Sequence, residues 1–138
     1  MARFKIEKLK SGYADATVLE YLTITAIEFE EGDDVIVLPN RFEGELITHL
    51  GFVQDFEPAH EEWCDWHHPG KGVDYVSDRY TLKSVTVEFP KGVKKVVLSQ
   101  GIKSIAYHMR DALDTVYVEV VEGNCHYGAE NGKLFWKR

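Results

Sequence analysis

Val97-Leu98-Ser99-Gln100-Gly101-Ile102-Lys103-Ser104-Ile105-Ala106 is the stretch on which the fold turns. It has a counterpart upstream: Val37-Leu38-Pro39, then Gly44, then Ile47-Thr48-His49-Leu50-Gly51. Both read as a buried strand, a polar turn, an apolar residue, two polar residues, a second apolar residue and a small one. Neither a short strand nor its return segment can bury an apolar face alone. Recurrence of the pair therefore predicts units stacked around one continuous core.

Strand patterning continues on both sides of these units. Leu82, Val85 and Val87 share their spacing with Val93, Val96 and Leu98, and with Leu113, Val116 and Val118. The segment from Val18 to Phe29 is rich in β-branched and aromatic residues, which favour strands. Glu31-Gly32-Asp33-Asp34 is a turn signal, and Val35-Ile36-Val37-Leu38 then reads as a short buried strand stopped by Pro39. Asp111-Ala112-Leu113 closes a short helical turn before the last strand pattern. Asn131-Gly132 lies between Tyr127 and Leu134-Phe135-Trp136, and both of its residues accept positive φ cheaply, so a hairpin is expected there. The expectation is one mainly β domain over 1–138, a short β-solenoid with few short helices, carrying an insertion at 53–80.

The insertion differs in character, with Asp55, Glu57, Pro58, His60, Glu61, Glu62, Trp63, Cys64, Asp65, Trp66, His67, His68 and Pro69 in close succession. Pro58 suits the first turn of a helix, Glu61 and Glu62 suit its positive end, and Pro69-Gly70 would stop it. Two kinds of chemistry arise here. His60, Cys64 and His67 are candidate metal ligands, since imidazole and thiolate suit zinc and residues four apart share a helix face. On a straight helix, however, His60 and His67 would stand about 10.5 Å apart along the axis. One ion does not easily reach both, and a fourth ligand would have to come from elsewhere, such as His49 or Asp65. Trp63 and Trp66 are candidate binding residues, able to stack on a sugar ring or anchor a partner protein. The simpler reading of both tryptophans is a plug for one end of the core.

Several observations together resemble the BspA-like leucine-rich repeats. In that family a strand ending in an Ile-Pro-like step leads to a Val-x-x-Ile-Gly segment, and the next unit begins Leu-x-x-Val-x-Val. Val37-Leu38-Pro39 with Ile47-x-x-Leu50-Gly51 matches one unit, and Ile102-x-x-Ile105-Ala106 matches a second with Ala106 in place of glycine. Leu82-x-x-Val85-x-Val87 and Leu113-x-x-Val116-x-Val118 match the strand starts. Asn124, Tyr127, Asn131-Gly132, Leu134 and Phe135 follow the order in which family members close a repeat block. The resemblance covers roughly 34–52 and 82–138. It implies a leucine-rich-repeat-like solenoid that works by binding, as surface and adhesion proteins do. Met109 and Arg110 stand where the family has Ala-Phe, and the segment 53–80 has no family counterpart.

Composition narrows the partners. Asp and Glu outnumber Lys and Arg by 23 to 16, for a net charge of −7, so phosphate backbones and anionic membranes are disfavoured. No stretch approaches the roughly 20 apolar residues of a membrane span. Met1 to Lys10 lacks the apolar run of a secretory signal, and Cys64 and Cys125 read as free thiols. The expected location is the cytoplasm, or outside the cell if the chain is an excised domain. No Gly-x-Ser-x-Gly elbow, phosphate loop, calcium loop or His-Glu-x-x-His is present. Cys64 with His67, or Cys125 with His126, could be drawn as a nucleophile and base, but neighbours on a strand point to opposite faces. The expectation is no enzyme and no cofactor. The function expected is a protein-interaction or ligand-binding module with a protein or carbohydrate partner, able to self-associate through open solenoid ends. The alternative is a small metal-binding or regulatory protein using His60–His68.

Overall fold

The computed structural model describes residues 2–11, 19–55, 62–63, 75–76 and 81–137. Its elements in chain order are β1 (Arg3–Ser11), β2 (Leu19–Glu28), β3 (Val35–Val37), β4 (Arg41–Phe42), β5 (Glu45–Leu50), β6 (Phe52–Asp55), β7 (Glu62–Trp63) and β8 (Tyr75–Val76). There follow β9 (Thr81–Ser84), β10 (Lys95–Leu98), β11 (Ser104–Ile105), α1 (Tyr107–Leu113), β12 (Tyr117–Val120), β13 (Tyr127–Glu130) and β14 (Lys133–Trp136). The chain is mainly β, as its branched and aromatic runs require.

Two sheets share the core. The larger runs β1-β2-β5-β11, with β4 paired to β5, and the smaller runs β12-β10-β3. The recurring units lie side by side in them. Val37 pairs with Val97, and Leu50 pairs with Ile105, both in parallel register. Ile36, Val96 and Val118 form one inward row of the smaller sheet, because residues in register share a face. They meet Ile24, Ile47 and Leu50 of the larger sheet, with Met109 and Leu113 of α1 in the same cluster. Burying such side chains is the main source of stability here, at roughly 1.5–3 kcal/mol each.

The solenoid expectation is overturned. Successive coils of a solenoid add strands to the same parallel sheets, and this chain does not persist in doing so. It forms several small sheets of mixed direction, none of them closed. β1 and β2 pair antiparallel over their whole length, so the larger sheet is mixed. After β5 the chain leaves into antiparallel ribbons, β6 with β9 and β7 with β8, and after β12 it folds back as the β13–β14 hairpin. Two units are too few to impose their period on sequence that can satisfy its backbone by local antiparallel pairing.

Two further expectations change. Val35 and Val37 are not buried; only Ile36 and Leu38 of that run point inward. A continuous apolar run does not say how many faces of its strand are covered. The helix expected to begin at Pro58 is replaced by strand at Glu62–Trp63, which pairs with Tyr75–Val76. The rest of that expected helix lies outside the described residues. The Asn131-Gly132 hairpin and the short helix ending at Leu113 are found where expected, with Asn131 at φ 53° and Gly132 at φ 79°.

Candidate functional site

The outer face of the three-stranded sheet carries several exposed apolar side chains. β-branched side chains make β3 and β10 strands, and the core takes every second one. The register then dictates what faces out. One outward row is Val35, Lys95 and Tyr117, and the next is Val37, Val97 and Glu119. Val37 is 60% exposed, Tyr117 49% and Val35 46%, with exposed Val121 following β12. Across the middle, Lys95 Nζ meets Glu119 Oε1 at 2.8 Å. This pair is partly exposed, so it orients two side chains and adds little stability.

The β13–β14 hairpin packs beside β12 and carries exposed aromatic side chains of its own. Tyr117 lies over Gly132, where any side chain would collide with its ring. The backbone N–H of Val118 donates to the Gly132 carbonyl at 3.0 Å, so the hairpin covers the β12 edge. Trp136 is about half exposed and stands edge-on to Tyr127, ring centres 5.0 Å apart, with His126 at 6.4 Å. Phe135 is also exposed and crosses over Gly128.

A second cluster lies at the root of the excursion that begins with β6. The His49 ring stacks on Tyr21 with centroids 4.0 Å apart and meets the edge of Phe52 at 5.8 Å. Its Nδ1 is 2.7 Å from Thr48 Oγ1. Burial, with help from the nearby Lys103 charge, lowers its pKa from 6.5 to about 4. The Tyr21 hydroxyl is buried without a hydrogen-bond partner, and burial raises its pKa. The Thr23 hydroxyl is likewise buried and unpartnered. The arrangement supplies a neutral imidazole wedged between aromatic rings, which serves packing.

That wedge carries a pH signature. The folded pKa of His49 lies below the unfolded one, so the unfolded chain takes up the proton more readily. The stability it contributes is present above pH 6.5 and is lost as pH falls toward about 4. Partial exposure of the ring discounts the effect to on the order of 1–2 kcal/mol. Urea unfolding of wild type and His49→Phe at pH 7 and pH 4.5 checks this. The difference between the two proteins should shrink or reverse at the lower pH, and an unchanged difference would refute it.

The residues singled out from sequence fall mostly elsewhere. Trp63 lies in β7, and Trp66, His60, Cys64 and His67 lie outside the described residues. Among the described residues no three His, Cys, Asp or Glu side chains gather as metal ligands would. Cys125 is a free, exposed thiol whose Sγ points to the Gly123 carbonyl at 3.7 Å, while the neighbouring His126 ring faces Trp136. No helix among the described residues is long and apolar enough to cross a membrane. Val35, Val37 and Tyr117 were missed as surface residues. The signal for Tyr117 was its alternation with Val116 and Val118. Comparison with family models, curated proteins and solved structures finds no match.

Proposed function

We infer that this chain is a non-enzymatic interaction module whose contact surface is the outer face of the β3-β10-β12 sheet. One observation carries this reading. All three strands are parallel, and parallel sheets are as a rule covered on both faces. Here one face is packed into the core and the other presents Val35, Val37 and Tyr117 to solvent. Val35 and Val37 are neighbours on β3, and Tyr117 stands two strands away beyond Lys95; exposed apolar side chains gathered on one sheet face mark places where another molecule sits. Tyr117 is of a residue type that supplies anchoring contacts. The likeness of the 37–51 and 97–106 units to BspA-like repeats, which work by binding, supports the same reading. The net charge of −7 disfavours nucleic acid and anionic membranes as partners. The free, exposed Cys125 fits a reducing compartment such as the cytoplasm.

The test is the paired variant Val37→Asp with Tyr117→Asp. Val37 is exposed and Tyr117 gives up its contact with the hairpin at Gly132, so the variant should stay folded with a melting temperature within about 6 °C of wild type. Partners retained by immobilised wild-type protein, identified and then purified, should bind the variant at least tenfold more weakly. Equal binding by a variant that melts normally would sink the reading.

A further inference from the structure

We propose that β3 is an acceptor edge for an extended peptide that ends in cationic residues, which would add a fourth strand to the β12-β10-β3 sheet. The inference rests on the interaction-module reading and names its class of partner.

The argument begins with backbone groups. The Asp34 carbonyl accepts from Lys94 and Lys95, and the Leu38 N–H donates to the Val97 carbonyl, so these groups point toward β10. Strand geometry alternates the direction of successive residues, so Ile36 also serves β10. The N–H and C=O groups of Val35 and Val37 then point the other way, and no described strand pairs with that side. Their side chains are exposed too.

Edges of this kind are normally defended, and two others here are. The edge strand β1 carries Arg3, Lys5, Lys8 and Lys10, and its pairing with β2 has a bulge. The β12 edge is covered by the hairpin through the bond from Val118 to Gly132. β3 reads Val-Ile-Val, with no charge, proline or bulge within it.

Charge complementarity selects the occupant. Glu31 and Asp34, in the turn entering β3, are well exposed. Lys94 and Lys95 lie on the β10 side, and Lys95 is paired with Glu119. An antiparallel guest would bring its C-terminal end to this acidic turn, so cationic residues are favoured there. Branched residues at alternate guest positions would continue the two outward rows that begin at Val35 and at Val37. A second copy fits less well. Pairing about Ile36 would set Leu38 and Pro39 of one chain across from Asp34 and Asp33 of the other, with no cation at those positions. It would also bring together two chains of charge −7.

The experiment uses the full chain and two synthetic peptides, Thr-Val-Thr-Val-Thr-Lys-Lys and the same sequence ending in Glu-Glu. In the free protein the amides of Val35 and Val37 should exchange with solvent much faster than that of Ile36. The lysine peptide should bind at least tenfold tighter than the glutamate peptide, slow exchange at Val35 and Val37, and weaken with added salt. Val37→Pro removes one outward N–H without touching the β10 ladder, and it should abolish peptide binding at an unchanged fold. Slow exchange of Val35 and Val37 in the free protein would overturn the proposal, as would equal binding of both peptides. Sedimentation showing a dimer broken by Val37→Pro would replace the peptide with a second copy. If Val37→Asp with Tyr117→Asp loses a purified partner that Val37→Pro retains, the face reading stands and the edge proposal fails.

Discussion

Replacing Asn124 by alanine is expected to cost the fold about 3 kcal/mol, because one side chain completes four backbone hydrogen bonds in a dry site. Its Nδ2 donates to the carbonyls of Ser99 and Ile102 at 3.0 and 2.9 Å. Its Oδ1 accepts from the N–H groups of His126 and Tyr127, both at 2.8 Å. Asn124 is 1% exposed, so groups left behind in the variant lie where water enters poorly. The contacts join the turn after β10 to the start of β13, and so hold the hairpin against the sheet that carries Val37 and Tyr117. Urea unfolding measures the loss as a lower midpoint at an unchanged slope. Asn124→Asp should also destabilise, because it keeps the acceptor but turns an oxygen toward two carbonyls. A loss below about 1 kcal/mol in the alanine variant would show that the four bonds are replaceable.

Gly51→Ala should be of similar size, and Gly44→Ala separates its causes. Both glycines have positive φ, 83° at Gly51 and 84° at Gly44, where a side chain costs about 1–2 kcal/mol. Around Gly44 an added Cβ meets nothing within 4 Å. At Gly51 it would lie 2.9 Å from the Val85 carbonyl oxygen and 3.1 Å from the Cβ atoms of Ala106 and Met109. None of these is the tip of a flexible side chain. The Gly51 backbone is also clamped, donating to Ile24 and accepting from Val85 at 2.8 and 2.7 Å. Overpacking in such a site adds roughly 1–3 kcal/mol. The expected result is a loss of about 1 kcal/mol for Gly44→Ala and about 3–4 for Gly51→Ala, read from urea midpoints. Equal losses would mean that the crowding around Gly51 relaxes without cost.

The candidate surface was only half legible. Val35 to Leu38 shows a strand, and alternation divides its residues into two sets. Nothing local says that one set stays uncovered, since that depends on whether a distant segment returns to lie over it. Asn124 was legible as part of a closing pattern, but not as the group that ties that pattern to Ser99 and Ile102. From sequence, His49 reads as a polar residue of a return segment and as a candidate further metal ligand. Its place between Tyr21 and Phe52 came from the pairing of β2 with β5 and the turn into β6.

Sequence alone determined what local chemistry can enforce. Branched and aromatic runs made strands, Asn131-Gly132 made a hairpin because its residues accept positive φ, and like segments at 37–51 and 97–106 paired with each other in register. Only the tertiary structure decided how far that repetition extends, which strands run antiparallel and which side of the small parallel sheet meets solvent. Those outcomes depend on contacts between residues far apart in the chain. A residue's own conformational preference is the same whichever partner it finds, so it cannot choose among them.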